Sequence, residues 1–353
     1  MFFGSQKKDI IGVDIGSNSV KLVQLHETKG VYHLTALGVA PLPSDAIVDG
    51  AIMDSSAVVE VIDNLYKSLK LKTKNVATSI SGHSVIIRKI KLPIMTEEEM
   101  EASIQWEAEQ YIPFEISEVN LDFQILGPDA KDTSQMNVVL VAAKKDFVND
   151  YISVFSECGL TPIVLDIDCF AMENAFEVNS QIDSQGVIAL VNMGASSINM
   201  NVLKDGASIF TRDITVGGNM VNEELQKRLG LSAEDAEALK LGGTVDGIQR
   251  SAVDEVIREA MESLVQEVQR SLDFFSATAS DDKIQAVYIT GGVSRNPLAK
   301  ELLSERLALP VDVLGAFGQV VIDEKNFDLE YIDAIGPLMS VAVGLAMRRL
   351  GDK

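Results

Sequence analysis

The sequence is poor in cysteine and in long apolar runs. Cys158 and Cys169 are too few for a disulfide framework in a chain of 353 residues, so we expect reduced thiols of a cytoplasmic protein. The opening "MFFGSQKKD" lacks the features of a signal peptide. The run Ala334 to Met347 has about 14 residues, whereas a membrane span needs about 20. A soluble chain is expected, with at most a weak membrane contact through Phe2, Phe3, Lys7 and Lys8.

Positive charge is also scarce. The chain has 30 basic against 52 acidic residues and a formal net charge of −22, which repels nucleic acid and anionic surfaces at long range. A nucleic-acid partner is therefore excluded. One group of residues is locally positive and forms either a solvated face or a docking patch. Its members are Lys67, Lys70, Lys72, Lys74, Arg88, Lys89 and Lys91.

Several enzyme signatures are absent. His26, His33 and His83 are scattered without the spacing of metal ligands, and no G-x-S-x-G elbow of a serine hydrolase occurs. No Gly is followed by Lys, which excludes the P-loop. Zinc-dependent and serine hydrolases are therefore not indicated.

The chain contains an internal repeat. "VDIGSNSVK" begins at Val13 and "VNMGASSIN" at Val191, and each continues through a turn into a third extended run. Each half thus opens with a predicted three-stranded meander. Because 353 residues exceed one ordinary core, the repeat indicates two related lobes facing each other across a cleft.

The repeated turn joins two strands, since "SVKLVQL" alternates in polarity after it, and this argues against a dinucleotide-binding fold. One such turn is an ordinary hairpin, but two facing copies of small residues offer backbone N–H groups to phosphate oxygens. The candidate loops are Asp14, Gly16, Ser17, Asn18 and Ser19, and Asn192, Gly194, Ala195, Ser196 and Ser197. The Asp14 carboxylate is suited to a hydrated Mg²⁺.

Two further segments are candidates for the rest of a nucleotide site. In "VYITGGVSRNP" a buried strand ends at Gly291 and Gly292, which either admit an adenosine against the backbone or form a plain turn. In "LSAEDAEALKLGG" Ser232 caps a short helix that carries Glu237 and Lys240, as ligand contacts or as solvated charges.

Together these segments resemble the actin, hexokinase and heat-shock chaperone ATPase superfamily. The pattern is most similar to the PilM family of type IV pilus assembly proteins, relatives of the cell-division protein FtsA. The segments that carry the resemblance are "GVDIGSNSVKLVQL", "SIQWEAEQYIPFEISEVNLDFQIL", "VVLVAAKKDFVNDYI", "LVNMGASSINMNVL", "FTRDITVGGN" and "EVQRSLDFF".

The resemblance implies an α/β, actin-like (ribonuclease H-like) two-lobe fold with a duplicated βββαβα core and an FtsA-type inserted α+β subdomain. The first lobe would span 1–83, completed by about 166–185 and 336–353. The insert would span 84–165, and the second lobe 186–335 with a helical subdomain at about 224–283.

In the insert, Thr96 and Glu99 predict a capping box for a helix ending near Ile112. Its expected buried stripe is Met100, Ile104, Ala108 and Tyr111. Trp106 lies off that stripe, either under a neighbouring loop or at a partner surface. In the second lobe, apolar residues at helical spacing predict a core helix over 253–278.

The resemblance also implies ATP and Mg²⁺ as cofactors, held by the two loops, with adenosine at Gly291 and Gly292 and ribose or base contacts at Glu237 and Lys240. The implied partner is the N-terminal cytoplasmic peptide of the inner-membrane protein PilN, with further cytoplasmic pilus proteins and a membrane association only through that partner.

One residue departs from the superfamily pattern. Many members carry an Asp in the second phosphate loop, where this chain has Asn192, and a neutral amide supplies no negative charge. Slow hydrolysis is therefore expected. The alternatives are an efficient ATPase and a sugar kinase whose base is Asp166 or Asp168.

Overall fold

The computed structural model describes residues 9–129, 131–179, 186–279 and 282–351, so the predictions on Phe2, Phe3, Lys7 and Lys8 lie outside the described residues. The chain opens with a three-stranded antiparallel meander, followed by a small hairpin, a helix and a strand. These elements are β1 (Ile11–Ile15), β2 (Ser19–Thr28), β3 (Val31–Pro41), β4 (Ile47–Val48), β5 (Ala51–Ile52), α1 (Ser55–Ser68) and β6 (Asn75–Ile80).

A separate three-stranded sheet comes next. It consists of β7 (Val85–Pro93), β8 (Val119–Pro128) and β9 (Gln135–Lys144), with β9 in the centre and α2 (Glu97–Ala108) before β8. The chain then returns to the first sheet through α3 (Lys145–Glu157), β10 (Thr161–Ile167) and α4 (Asp168–Asn179).

The second half repeats the arrangement. Its elements are β11 (Val187–Met193), β12 (Ile198–Lys204), β13 (Ala207–Ile214), α5 (Asn219–Leu229), α6 (Ala233–Lys240), α7 (Arg250–Thr278), β14 (Ile284–Thr290), α8 (Pro297–Leu307), β15 (Val311–Val313), α9 (Leu329–Ile335) and α10 (Ser340–Met347).

The two large sheets have the same topology. Their strand orders are β10-β6-β1-β2-β3 and β15-β14-β11-β12-β13. In each sheet an antiparallel meander is extended by two parallel strands. The duplication predicted from the two Gly-containing turns is therefore confirmed at the level of whole sheets.

The predicted end of the insert is wrong. Residues 145–165 were expected in the insert, but β10 pairs in parallel with β6 inside the first sheet. From α3, Phe147, Val154 and Phe155 are buried in the same cluster as Val13 and Val76. These residues belong to the first lobe because their apolar surface is covered there, and the insert ends with β9.

In the insert, the capping box is confirmed, since Glu99 N–H donates to Thr96 Oγ1 at 3.2 Å and Thr96 N–H donates to the Glu99 carboxylate at 2.8 Å. The helix ends at Ala108, four residues before the expected Ile112. Tyr111 therefore leaves the helical spacing and is 37% exposed instead of buried. Trp106 is 74% exposed, which contradicts its placement under a loop.

The helices α4 and α10 pack against each other; α10 lies on the first large sheet, and α4 contacts strands of both large sheets. A β-carbon at Gly12 would overlap the Ala342 carbonyl oxygen, and one at Gly344 would overlap the Ala171 carbonyl oxygen, so glycine permits the close approach of both backbones. The apolar stretch Leu329–Met347 is longer than expected, with 19 residues and a mean hydropathy of 1.4. It is 67% buried inside the protein, as expected of a core segment.

The core of the second lobe lies between its sheet and α7. The predicted stripe is confirmed, because residues 253, 257, 260, 264, 268, 272 and 275 are all buried in one cluster. Cys158 and Cys169 are free thiols, the first half-buried and the second buried.

Candidate functional site

A cleft of about 1040 Å³ separates the two large sheets. Its walls contain every residue that the sequence analysis predicted for the nucleotide site: Asp14, Gly16, Ser17, Asn18, Ser19, Asn192, Gly194, Ala195, Ser196, Ser197, Glu237, Lys240, Gly291 and Gly292. The β1–β2 and β11–β12 turns meet across the cleft, where Ser196 Oγ donates to Ser17 Oγ at 2.9 Å. Residues far apart in sequence thus form one site.

The first turn is closed by a hydrogen bond from Gly16 N–H to the Ser19 carbonyl at 3.1 Å. Behind it, Lys21 Nζ lies 3.1 Å from the Asp14 carboxylate, and the two side chains are only 10% and 13% exposed. A β-carbon at Gly16 would be 2.6 Å from that ammonium group, so glycine makes room for it. Sequence analysis missed Lys21, although a lysine within the apolar run "SVKLVQL" was a usable signal.

The second turn is held by the start of α5. Gly194 N–H donates to the Ser197 carbonyl at 2.9 Å, while the Gly194 carbonyl accepts from Gly218 N–H at 2.9 Å. A β-carbon at Gly217 would be 2.6 Å from the Ala195 carbonyl oxygen. The pair Gly217 and Gly218 was missed as a structural requirement of the site, although "TVGGN" lies in a segment that carried the family resemblance.

Asn192 begins a chain of side-chain hydrogen bonds. Its Nδ2 donates to Asn199 Oδ1 at 3.2 Å, and Asn199 Nδ2 donates to Asp213 Oδ1 at 2.9 Å. The second Asp213 oxygen accepts from Gly82 N–H at 2.8 Å. The carboxylate of Asp213, which the sequence analysis missed, is therefore linked to the neutral Asn192 through two hydrogen bonds, and it lines the cleft.

A further carboxylate in the cleft is Asp168. Ser79 Oγ donates to it at 2.6 Å. Burial, followed by the nearby Asp14 charge, raises the pKa of Asp168 to about 6. Asp166, offered beside it as a kinase base, is not a wall residue of the cleft, and its carboxylate lies 3.2 Å from Arg348. Of the two aspartates, only Asp168 can meet a ligand there.

The donor set fits a magnesium ion that is held largely through water. Asp14 and Asp168 are close enough for the charge of one to raise the pKa of the other, and a divalent cation would offset that repulsion. The described residues include no group of three His, Cys, Asp or Glu side chains placed to hold a metal. Mg²⁺ characteristically binds to one or two carboxylates plus water and phosphate oxygens.

Gly291 lies beside the second turn with a φ of +86°, and a β-carbon there would be 2.5 Å from the Asn192 side-chain oxygen. Gly291 N–H donates to the Pro337 carbonyl at 2.7 Å. On α6, Glu237 pairs with Lys240, and Asn222 Nδ2 donates to Glu237 at 2.6 Å. Both charged side chains are partly buried against the cleft and are not freely solvated.

Two lobes of equal topology, with small-residue turns facing each other across a cleft, define an actin-like protein. The sequence model of the type IV pilus assembly protein PilM matches residues 12–350. The chain belongs to this PilM family, as the sequence analysis predicted.

Similar proteins include a PilM complex, an MreB and an FtsA. A solved structure described as a PilM-PilN type IV pilus biogenesis complex superposes with a TM-score of 0.87 and 29% identity, covering 98% of this chain and 100% of that chain. MreB5 of Spiroplasma citri bound to AMPPNP superposes with a TM-score of 0.50 and 13% identity, over 96% of this chain and 94% of that chain. FtsA of Neisseria meningitidis is 22% identical over 347 residues, 92% of this chain and 83% of its own length.

Proposed function

We propose that this chain is a cytoplasmic, ATP-binding scaffold of type IV pilus assembly that captures the N-terminal cytoplasmic peptide of a PilN-like inner-membrane protein. The observation that carries the proposal is the similarity, along 98% of the chain, to a protein solved in a PilM-PilN complex. The chain would then be peripheral to the inner membrane through this partner, where it would link the membrane complex to further cytoplasmic pilus proteins.

ATP binding is supported by the chemistry of the cleft. The two turns expose backbone N–H groups of small residues on both sides of a gap that Ser17 and Ser196 bridge. Lys21 adds a positive charge beneath the first turn, and Asp14 and Asp168 supply the oxygen ligands for a hydrated Mg²⁺. When bound, the metal would neutralise phosphate charge, while the residues of the turns orient the phosphates.

Slow hydrolysis is supported by the side chains around the second turn. Asn192 and Asn199 are neutral and hydrogen-bonded to each other, so neither can accept a proton from an attacking water. Asp213, the carboxylate to which Asn199 is hydrogen-bonded, already accepts hydrogen bonds on both of its oxygens. A nucleotide held without rapid turnover suits a scaffold that stays assembled.

The test is single-turnover phosphate release from the full chain loaded with Mg-ATP, with and without a synthetic peptide of the PilN-like partner's N-terminus. We expect intact ATP to be recovered from the complex in both cases and the peptide to bind with 1:1 stoichiometry. Turnover in the ordinary enzyme range of about 1 to 1,000 per second would contradict the slow-hydrolysis proposal. Absence of peptide binding would contradict the scaffold proposal separately.

A further inference from the structure

Three polar side chains form a row across the second large sheet, defined here as the Asn192 row: Asn192, Asn199 and Asp213. Asn192 on β11 is the register partner of Asn199 on β12, and Asn199 is the register partner of Asp213 on β13. Directly opposed residues of antiparallel strands place their side chains on one face, close enough to interact. The register therefore connects the cleft residue Asn192 to a carboxylate two strands away.

The carboxylate fixes the direction of the hydrogen bonds in the row. Asp213 has only acceptor atoms, and one of its oxygens already accepts from Gly82 N–H at 2.8 Å. Asn199 must therefore turn its Nδ2 toward Asp213, at 2.9 Å, and its Oδ1 toward Asn192. Asn192 in turn must donate through its Nδ2, at 3.2 Å, so its own oxygen is left outside the row.

Solvent does not relax this constraint at the centre of the row. Asn199 is only 3% exposed, so water cannot replace a hydrogen bond that its amide loses. An Asn199 amide turned the other way would place its oxygen against the Asp213 carboxylate, where two acceptors would face each other. The orientation of both amides thus follows from the position of one charge.

The oxygen of Asn192 faces the candidate nucleotide site. No described residue donates to Asn192 Oδ1, and the atom is accessible from the cleft that Asn192 lines. A β-carbon at Gly291 would be 2.5 Å from this oxygen, so glycine leaves it uncovered. Asn192 therefore offers its acceptor to a ligand in the cleft.

The corresponding row of the first large sheet carries its negative charge in a different place. Asp14 is the register partner of Lys21, and the two side chains form the ion pair beside the first turn. In the second sheet, the charge lies at Asp213, two strands farther from the turn. Asn192 thus takes the place of a carboxylate beside the second turn, and Asp213 determines how its amide points.

We infer that Asp213 is a positioning residue of the nucleotide site, which holds the Asn192 oxygen toward the cleft through Asn199. There the oxygen accepts a hydrogen bond from a water ligand of the bound Mg²⁺. The inference rests on the proposed binding of Mg-ATP. Mg²⁺ keeps several of its waters when it binds to proteins, and the oxygen of each such water is engaged by the metal. These waters present hydrogens to the protein, so the site needs an acceptor.

The first test is Asp213→Asn, which should reverse the row. Gly82 N–H still requires an acceptor at position 213, so the new amide would turn its nitrogen toward Asn199. Asn199 would then turn over, and Asn192 would present its Nδ2 to the cleft. In the nucleotide-free protein, we expect hydrogen exchange of the Asn192 side-chain amide, measured by NMR, to accelerate at least about tenfold.

The second readout is ATP affinity, measured by calorimetric titration. Asp213→Asn should weaken binding at least about tenfold in Mg²⁺ and leave it nearly unchanged in EDTA, since a donor would then face the hydrogens of metal-bound water. Asp205→Asn is the matched control, because it makes the same change of charge and Asp205 Oδ1 accepts from Gly186 N–H at 2.9 Å at the far end of the same sheet. The control should alter neither readout.

A swapped variant, Asn199→Asp with Asp213→Asn, should restore the site. The carboxylate then lies one strand closer to the cleft, accepts from both of its neighbours and again leaves the Asn192 oxygen facing the ligand. Affinity for Mg-ATP and exchange of the Asn192 amide should return to within about threefold of the native values. If Asp213 only supported the fold, the swap would not restore either value.

Three results would overturn the inference: unchanged exchange of the Asn192 amide in Asp213→Asn, an ATP affinity that is unchanged or falls equally in Mg²⁺ and EDTA, or a folded swapped variant without restored affinity. Failure of the native chain to bind ATP would contradict the proposed function instead. In that case, the amide exchange still decides whether Asp213 orients Asn192.

Discussion

The Asp213 carboxylate accepts the backbone N–H of Gly82 at 2.8 Å and the side chain of Asn199 at 2.9 Å. Gly82 lies three residues before β7, the first strand of the insert, and Asn199 contacts Asn192 at the second turn of the cleft. Asp213 therefore connects the wall of the candidate nucleotide site, through direct hydrogen bonds, to the segment that leads into the inserted subdomain.

Replacing Asp213 by Ala should release the Gly82 amide. Because this amide would lose its acceptor, we expect its hydrogen exchange to accelerate at least tenfold, equivalent to about 1.4 kcal/mol. Asp205→Ala is the matched control, since Asp205 Oδ1 accepts from Gly186 N–H at 2.9 Å at the far end of the same sheet. Exchange measured by NMR should change at Gly82 only in the first variant; an unchanged Gly82 rate would contradict the connection.

Asp14 and Lys21 should behave as a coupled pair. Asp14→Asn or Lys21→Met alone leaves one nearly buried charge unpaired, and each should lower the free energy of unfolding by about 1–3 kcal/mol. The double variant removes both charges and should be more stable than either single variant. Urea unfolding measures this order. Additive losses in the double variant would contradict the pairing seen in the structure.

The same two residues should separate metal from phosphate binding. Asp14→Ala should lower ATP affinity at least tenfold in Mg²⁺ and much less in EDTA, because the metal contact contributes only when Mg²⁺ is present. Lys21→Met should lower affinity in both conditions, since its charge acts on the phosphates themselves. Calorimetric titration distinguishes the two. If neither variant changes ATP affinity, the first turn is only structural.

The raised pKa of Asp168, about 6, predicts a pH dependence of stability. Since the folded state binds this proton more tightly than the unfolded state does, the free energy of unfolding should fall as the pH rises from about 4 to about 6. Asp168→Asn removes this contribution. The free energy of unfolding of the variant, taken relative to that of the native chain, should therefore be higher at pH 7 than at pH 4. Urea unfolding of both proteins across this range gives the difference. A difference that is independent of pH would contradict the assignment.

Within the insert, Trp106 and Met100 should differ sharply in their effect on stability. Trp106 is 74% exposed and Met100 is fully buried on the same helix. Trp106→Ala should change the free energy of unfolding by less than about 0.5 kcal/mol, whereas Met100→Ala should cost about 2–5 kcal/mol. Denaturant titration checks both values. A large loss in the first variant would mean that the tryptophan packs against the protein.

The sequence by itself determined the duplication, the superfamily and the positions of both small-residue turns. These features are local: a strand that ends in glycine and serine and resumes as a strand is visible without any tertiary contact. The core stripe of α7 was predictable for the same reason, because helical spacing over residues 250–278 reveals which side faces the sheet.

The tertiary structure alone decided which residues complete the site and where the insert ends. Asp213 reaches the cleft because strand pairing brings separate segments together, and such pairing leaves no local pattern. Only the structure distinguishes Asp168, which lines the cleft, from Asp166, which does not. Strand β10 belongs to the first sheet since β6 offers it a partner, although in sequence it follows the insert. Trp106 is exposed and Tyr111 leaves its expected stripe because the helix stops at Ala108. Burial depends on what the rest of the chain covers, and only the folded arrangement of the sheets determines that.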